Sequence, residues 1–233
     1  MKILAIDSTA VVASVALCED EKLVALYTVN NGNTHSETLL PMVESILKEA
    51  KLTAADIDLF AVSNGPGSFT GVRIGCATVK GLAFGRKTPC VGVSTLEALA
   101  YNLKGADGIL CPVMNARRNQ VYNALFKFEG DKLTRLCEDR AIAVSELAEE
   151  LGGEEKIYLS GDGVDITTPH IPEEKLGFTH PVMTHQNAYS VAMCALKAYK
   201  SENYSTDTDL APTYLRPSQA ERERAEKIEK GLI

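Results

Sequence analysis

No apolar run in this chain approaches the roughly 18 residues that a membrane-crossing helix requires, so neither a spanning segment nor a membrane partner is expected. The N-terminal run MKILAID ends at an aspartate. It is too short for a signal peptide and carries no cleavage-site pattern. The six cysteines, Cys18, Cys76, Cys90, Cys111, Cys137 and Cys194, never fall within four positions of one another. That spacing excludes CxxC redox and zinc-finger motifs and suits reduced thiols in a cytoplasmic protein. The four histidines, His35, His170, His180 and His185, form neither an HExxH motif nor an i,i+4 pair, so no metal site is expected. A basic run is missing too. With 24 Lys+Arg against 31 Asp+Glu the net charge is −7, a poor balance for gripping nucleic acid unaided, because non-specific binding rests on neutralising phosphates.

What is present is an ordinary globular balance of 45% hydrophobic and 24% charged residues, enough over 233 residues for one large domain or two lobes. Apolar runs separated by DST and EDE predict three strands over 2–7, 11–18 and 22–29. Residues 34–50 have helical periodicity through Leu39, Leu40, Val43, Ile46, Leu47 and Ala50. Thr34 and Glu37 sit at capping-box spacing, and Pro41 is expected to kink the helix or mark its first turn. A strand over 57–63, a helix over about 69–84, a strand over 89–93 and a helix over 95–103 follow. The polar break KGADG at 104–108 then divides the chain into lobes 1–104 and 105–233. The second half repeats the order, with strands at 109–115, 120–128 and 132–137, an extended AIAV, a weak helix at 145–151 and a strand at 156–161. A loop-rich stretch at 162–186, a helix at 187–201 and a charged helix at 219–230 complete it. Two lobes, each with a mixed sheet and flanking helices, make this an α/β fold with a cleft between the lobes.

Candidate chemistry sits in the turns. Asp7, Ser8 and Thr9 close the first strand, where a carboxylate beside hydroxyls can hold a metal–phosphate group or act as a base; an Asx or Ser/Thr turn is the simpler reading. The stretch NGPGSFTG at 64–71 matches neither GxxxxGK[ST] nor GxGxxG, yet a strand, glycine turn and helix in that order can present N–H groups to an anion. SGDGVD at 160–165 places Gly161 and Gly163 in a second turn that could meet a nucleotide or serve as an ordinary turn. Arg117 and Arg118 fall in a turn between strands, suited to an anion or simply solvated. Along the helix after NGPGSFTG, Gly71, Gly75, Thr78, Leu82 and Gly85 share a stripe with Ile74 and Gly81 beside it, while Val72, Cys76, Val79 and Ala83 form another. Glycines cost a helix about 1 kcal/mol each relative to alanine, so a small-residue stripe suggests that a second helix, internal or from another chain, approaches there.

Together ILAIDST, SETLLPMVESIL, VSNGPGSFTGVRIGCATVKGLA, GVSTLEALA and PVMNARRNQVY resemble the TsaB (YeaZ) family, most specifically over residues 1–130. The resemblance implies the actin-like, sugar-kinase and Hsp70 (ASKHA) fold, with AIDST and SGDG where that fold places its phosphate hairpins. It implies a non-catalytic dimerisation subunit for threonylcarbamoyladenosine synthesis on tRNA. Such a subunit pairs with the catalytic paralogue TsaD through Leu39, Val43, Ile46, Gly71, Ile74, Gly75, Thr78 and Leu82, works with the ATPase subunit TsaE, forms a homodimer when alone and meets tRNA only through the complex. The catalytic paralogue carries a metal-binding His-x-x-x-His pair, and the corresponding positions here are Thr95 and Leu99, which removes the ligand pair. Asn115 stands where MDAR is expected of the family, which weakens any acid–base role there. No cofactor is implied beyond weak nucleotide binding at Asp7, Ser8, Thr9, Gly161 and Gly163. An ASKHA-type ATPase or phosphotransferase using the interlobe cleft is the alternative.

Overall fold

The structure is a computed structural model and describes residues 1–153, 156–216 and Ile228. The first lobe opens with β1 (Lys2–Asp7), β2 (Ala13–Glu19) and β3 (Lys22–Val29) as an antiparallel meander. Helix α1 (His35–Glu49) then leads to β4 (Leu59–Gly65), and α2 (Phe69–Ala83) leads to β5 (Cys90–Ser94). Both crossovers return parallel, giving the order β3-β2-β1-β4-β5. Helix α3 (Thr95–Tyr101) closes the lobe, its first turn capped by Ser94, whose hydroxyl accepts the Glu97 N–H. Helix α1 runs through Pro41 on its exposed side. The Thr34 hydroxyl donates to the Glu37 carboxylate at 2.7 Å instead of accepting a backbone N–H, so the expected capping box is not closed.

The period-2 alternation of β1 and β4 explains why the sheet is apolar on both faces. Leu4, Ile6, Phe60 and Val62 point to α1 and α2, where they meet Leu39, Val43, Ile46, Val72, Cys76 and Val79. Ile3, Ala5, Leu59 and Ala61 point the other way.

The second lobe holds β6 (Ile109–Arg117), β7 (Gln120–Asn123), β8 (Phe126–Glu129), β9 (Lys132–Arg135) and β10 (Arg140–Ala143). Then come α4 (Val144–Glu150) and β11 (Ile157–Ser160). Strand β6 is central, antiparallel to β7 and β8 and parallel to β11. The strand expected over 120–128 is broken at Ala124–Leu125, where the Leu125 N–H turns to the Cys137 sulfur at 3.1 Å. Its neighbour is broken to match, β9 pairing β8 and β10 pairing β7. The loop-rich stretch carries the short helices α5 (Val164–Thr167) and α6 (Pro181–Thr184).

Helix α7 (Ala188–Lys200) crosses back to cover the free face of the first sheet with Ala188, Val191, Ala192 and Ala195. The following chain stays there, Ser205 bridging to Cys90. A cut at 104/105 therefore separates the two sheets but not their packing: α7 and the segment after it belong structurally to the first lobe. Helix α3 fills the seam, with Leu96 and Leu99 against Leu110 and Phe126 of the second lobe and Ala98 against the first. The helix expected over 219–230 lies, apart from Ile228, outside the described residues.

Candidate functional site

Asp7 ends β1 opposite Ser14 and beside β4. Its Oδ1 accepts the Thr9 N–H at 2.9 Å and the Thr9 hydroxyl at 2.7 Å, and its Oδ2 accepts the Ser63 hydroxyl at 2.5 Å. Asp7, Ser8 and Thr9 are 1%, 0% and 0% exposed. Burial pushes the Asp7 carboxyl above its ordinary range, against the pull of the Ser63 and Thr9 hydrogen bonds and the weaker field of His35. The turn read as a phosphate candidate faces the interior, with its side-chain polar atoms hydrogen-bonded there.

The glycine stretch is what covers it. The Ser68 N–H donates to the Thr9 carbonyl at 2.7 Å, and the Ser8 hydroxyl donates to the Gly71 carbonyl at 2.9 Å. Ser68 caps α2 by accepting the Gly71 N–H. A Cβ on Gly71 would overlap the Ser8 carbonyl oxygen, and one on Gly75 would sit 2.6 Å from the Ser8 hydroxyl oxygen and 3.1 Å from Val62. The N–H groups of Ser68 and Gly71 are thus spent on the chain itself, and NGPGSFTG cradles the Ser8–Thr9 turn. His35 closes the other side, its Nε2 2.6 Å from the Ala10 carbonyl.

This packing divides the eight residues expected on a partner-facing surface. Leu39, Val43 and Ile46 are buried in the first lobe's core, and Gly71 and Gly75 are buried against Ser8. None of these five can meet a second chain without opening the fold. Ile74, Thr78 and Leu82 are half-exposed, and the surface beside them continues through Ala77 and Gly81 to Phe84, which is 78% exposed. Nothing lies within 4 Å of a Cβ built on Gly81.

The second glycine turn is similarly occupied. The Gly161 N–H donates to the Thr184 carbonyl at 2.6 Å and the Gly163 N–H to the Val113 carbonyl at 3.0 Å. Asp162 accepts the Asn115 N–H at 3.0 Å, and the Asn115 side chain accepts the Arg117 N–H at 2.8 Å, so Asn115 shapes a turn. Between the two turns lies a cleft of about 540 Å³, bordered by Ala10–Val12, Asn30, Asp162, Asp165, His185 and Gln186. Among the described residues no lysine or arginine lines it. On α3, Thr95 and Leu99 are both buried, Leu99 packed among Leu96, Leu110 and Phe126. No cluster of three or more His, Cys, Asp or Glu side chains exists among the described residues.

Sequence reading missed Ser63, the third donor to Asp7, and the strap that runs along the side of α2 bearing Phe69, Arg73 and Lys80. Lys80 donates to the carbonyls of Thr208 and Leu210, and the Thr213 N–H donates to the Asn64 carbonyl. Tyr214 stacks on Phe69 with centroids 4.0 Å apart. These contacts join positions more than a hundred residues apart, so no local pattern announces them.

A family model described as "TsaD: tRNA N6-adenosine threonylcarbamoyltransferase" matches residues 30–224. The chain is 31% identical over 226 residues to the "tRNA threonylcarbamoyladenosine biosynthesis protein TsaB" of Bacillus subtilis, covering 95% of this chain and 96% of that protein. Among solved structures, "YeaZ from Pseudomonas aeruginosa" superposes with TM-score 0.79 at 25% identity, over 92% of this chain and 99% of that one. Component A of the (R)-2-hydroxyglutaryl-CoA dehydratase of Acidaminococcus fermentans superposes with TM-score 0.50 at 12% identity, over 86% and 98%, which is a likeness of fold. The two-lobed architecture is the ASKHA fold.

Two outcomes follow from the packed turn. Gly71→Ala should lose about 1–3 kcal/mol through overlap with Ser8, whereas Gly81→Ala should gain up to about 1 kcal/mol from helix propensity; urea unfolding of both variants checks the contrast. For Asp7, the raised folded pKa means that its contribution to stability is full below the unfolded value of about 4 and is lost as pH rises through the folded value. Asp7→Asn should therefore gain stability relative to the wild type as pH rises from about 4 to 7. Asp7→Ala, which orphans Thr9 and Ser63, should lose about 1–3 kcal/mol per unsatisfied group. Denaturation at both pH values reads the difference.

Proposed function

The chain belongs to the TsaB (YeaZ) family, within the group that the threonylcarbamoyltransferase family model describes, and from that premise we propose that it serves threonylcarbamoyladenosine formation on tRNA as a non-catalytic subunit. It pairs with the catalytic paralogue TsaD through the first lobe, supports docking of the ATPase subunit TsaE and forms a homodimer when alone. The observation that carries the non-catalytic reading is α3. At the two positions where the paralogue bears its histidine pair stand Thr95, with one neutral hydroxyl, and Leu99, with no donor, both buried in the seam between the lobes. The packed Ser8–Thr9 turn and the occupied N–H groups of Gly161 and Gly163 support the same reading, because phosphate hairpins need free donors.

The pairing surface is the outer side of α2 beyond its second turn. Ile74, Ala77, Thr78, Gly81 and Leu82 leave a shallow face on which another helix can approach closely, and the exposed Phe84 adds apolar area just past the end of α2. An ATPase reading keeps one favourable observation, the cleft of about 540 Å³, a volume typical of ligand sites. Its border bears Asp162 and Asp165 and, among the described residues, no lysine or arginine, the wrong charge for a triphosphate.

Association can be tested at Gly81, where a large side chain meets open space. Gly81→Arg should fold with at least wild-type stability and weaken pairing with TsaD at least about tenfold, equivalent to 1.4 kcal/mol, in sedimentation velocity. Unchanged assembly would remove this face from the interface, and threonylcarbamoyl transfer by the purified chain alone would refute the non-catalytic role.

A further inference from the structure

Although the chain carries a net charge of −7, its fold draws four arginines from distant segments into one row. Arg73 on α2 donates from Nε to the Tyr214 hydroxyl at 2.7 Å, and its guanidinium lies 4.8 Å from the centre of the Phe69 ring on which Tyr214 stacks. Two residues beyond Tyr214, Arg216 donates to the Ala116 carbonyl at 3.3 Å and to the Gln120 side chain, tying the strap to the β6–β7 hairpin. The tip of that hairpin is Arg117–Arg118–Asn119, all exposed. The strap therefore makes a continuous edge from Arg73 through Arg216 to Arg117 and Arg118.

Charge pairing and backbone geometry both set this edge apart. Arg135 pairs with Asp139 and Glu97, and Arg140 pairs with Glu150, whereas none of the four edge arginines has a carboxylate in salt-bridge reach among the described residues. Asp162 is tied to the base of the hairpin, where it accepts the Asn115 N–H and not an arginine. Arg117, Arg118 and Asn119 have φ of +63°, +55° and +54°, a left-handed run that non-glycine residues rarely adopt and that costs free energy at each step. Asn115 and Val144 brace the turn, through the Arg117 N–H donated to the Asn115 side chain and the Val144 N–H donated to the Asn119 carbonyl. Like charges in a row repel, so the arrangement is stabilised by an extended polyanion.

We propose that this arginine edge binds the phosphodiester backbone of an RNA without reading its bases. The four arginines are strung along the strap and the hairpin tip, linked through Tyr214, Ala116 and Gln120, and among the described residues none of them lines the cavities at the lobe seam. A small anion would gain only one screened contact, whereas a polymer can fill several positions and release its counterions. Guanidinium groups suit phosphate oxygens through their paired donors. The choice of RNA rests on the tRNA-modifying role proposed above, and it gives this chain a direct RNA contact in place of one made only through its partners.

The test is fluorescence anisotropy of a labelled stem-loop RNA with the full chain, titrated in salt from about 50 to 200 mM. Weak binding that falls with salt is expected. The double substitution Arg117→Asn and Arg118→Asn keeps a residue that tolerates the left-handed turn, and it should lower affinity at least tenfold and reduce the salt slope by about 1.5–2. Arg73→Gln should lower the slope by about 1 with an unchanged melting curve. An absence of binding by the wild type at low salt, a slope unchanged in the double variant, or displacement of the RNA by ATP at equal phosphate concentration would each overturn the proposal. Such a failure leaves the pairing reading standing, because the Gly81→Arg association test contains no RNA.

Discussion

The Ser8–Thr9 turn held inside the glycine stretch is the contact on which the first lobe depends. The Ser68 N–H on the Thr9 carbonyl, the Ser8 hydroxyl on the Gly71 carbonyl and the missing side chains at Gly71 and Gly75 bring the start of α2 against the end of β1. From there the geometry propagates. Asp7 is sealed with Thr9 and Ser63 as its donors, and α1 is set by His35 against Ala10. Helix α2 is aimed so that Val72, Cys76 and Val79 enter the core, and its outer side is left to the strap and to open surface. A buried carboxylate is costly unless hydrogen-bonded, and here three donors offset part of that cost.

Much of the fold was legible in the sequence. Alternation in β1 and β4 and the 3.6-residue period of α1, α2 and α7 placed these elements closely, because each buries one defined face. Of the two stripes on α2, the one formed by Val72, Cys76, Val79 and Ala83 enters the core. The small-residue stripe was legible in angle but not in depth. Gly71 and Gly75 share a face with Thr78 and Leu82, yet the first two lie where the helix crosses the Ser8 turn and the last two lie beyond it. A helical wheel carries no axial coordinate, so it cannot tell a glycine required from inside from one facing outward. Leu39, Val43 and Ile46 were placed on the partner surface by the family resemblance, although an apolar face that regular is what a core requires. The broken strands of the second lobe depend on the Leu125–Cys137 contact, and the strap on contacts between distant segments; neither leaves a local signal.

The family fold is thus kept while its polar turns are turned inward. Backbone N–H groups that could meet a phosphate donate to Thr9, Thr184 and Val113, and the cleft between the turns is bordered by carboxylates. The exposed chemistry lies elsewhere, in the shallow apolar side of α2 and in the arginines gathered at the strap's end.

Calorimetric titration of the purified full chain with Mg-ATP tests most directly whether the inward-facing turn rules out nucleotide chemistry. The expected result is no saturable binding up to about 1 mM, the level corresponding to only about −4 kcal/mol. Stoichiometric micromolar binding with turnover, abolished by Asp7→Ala, would contradict it.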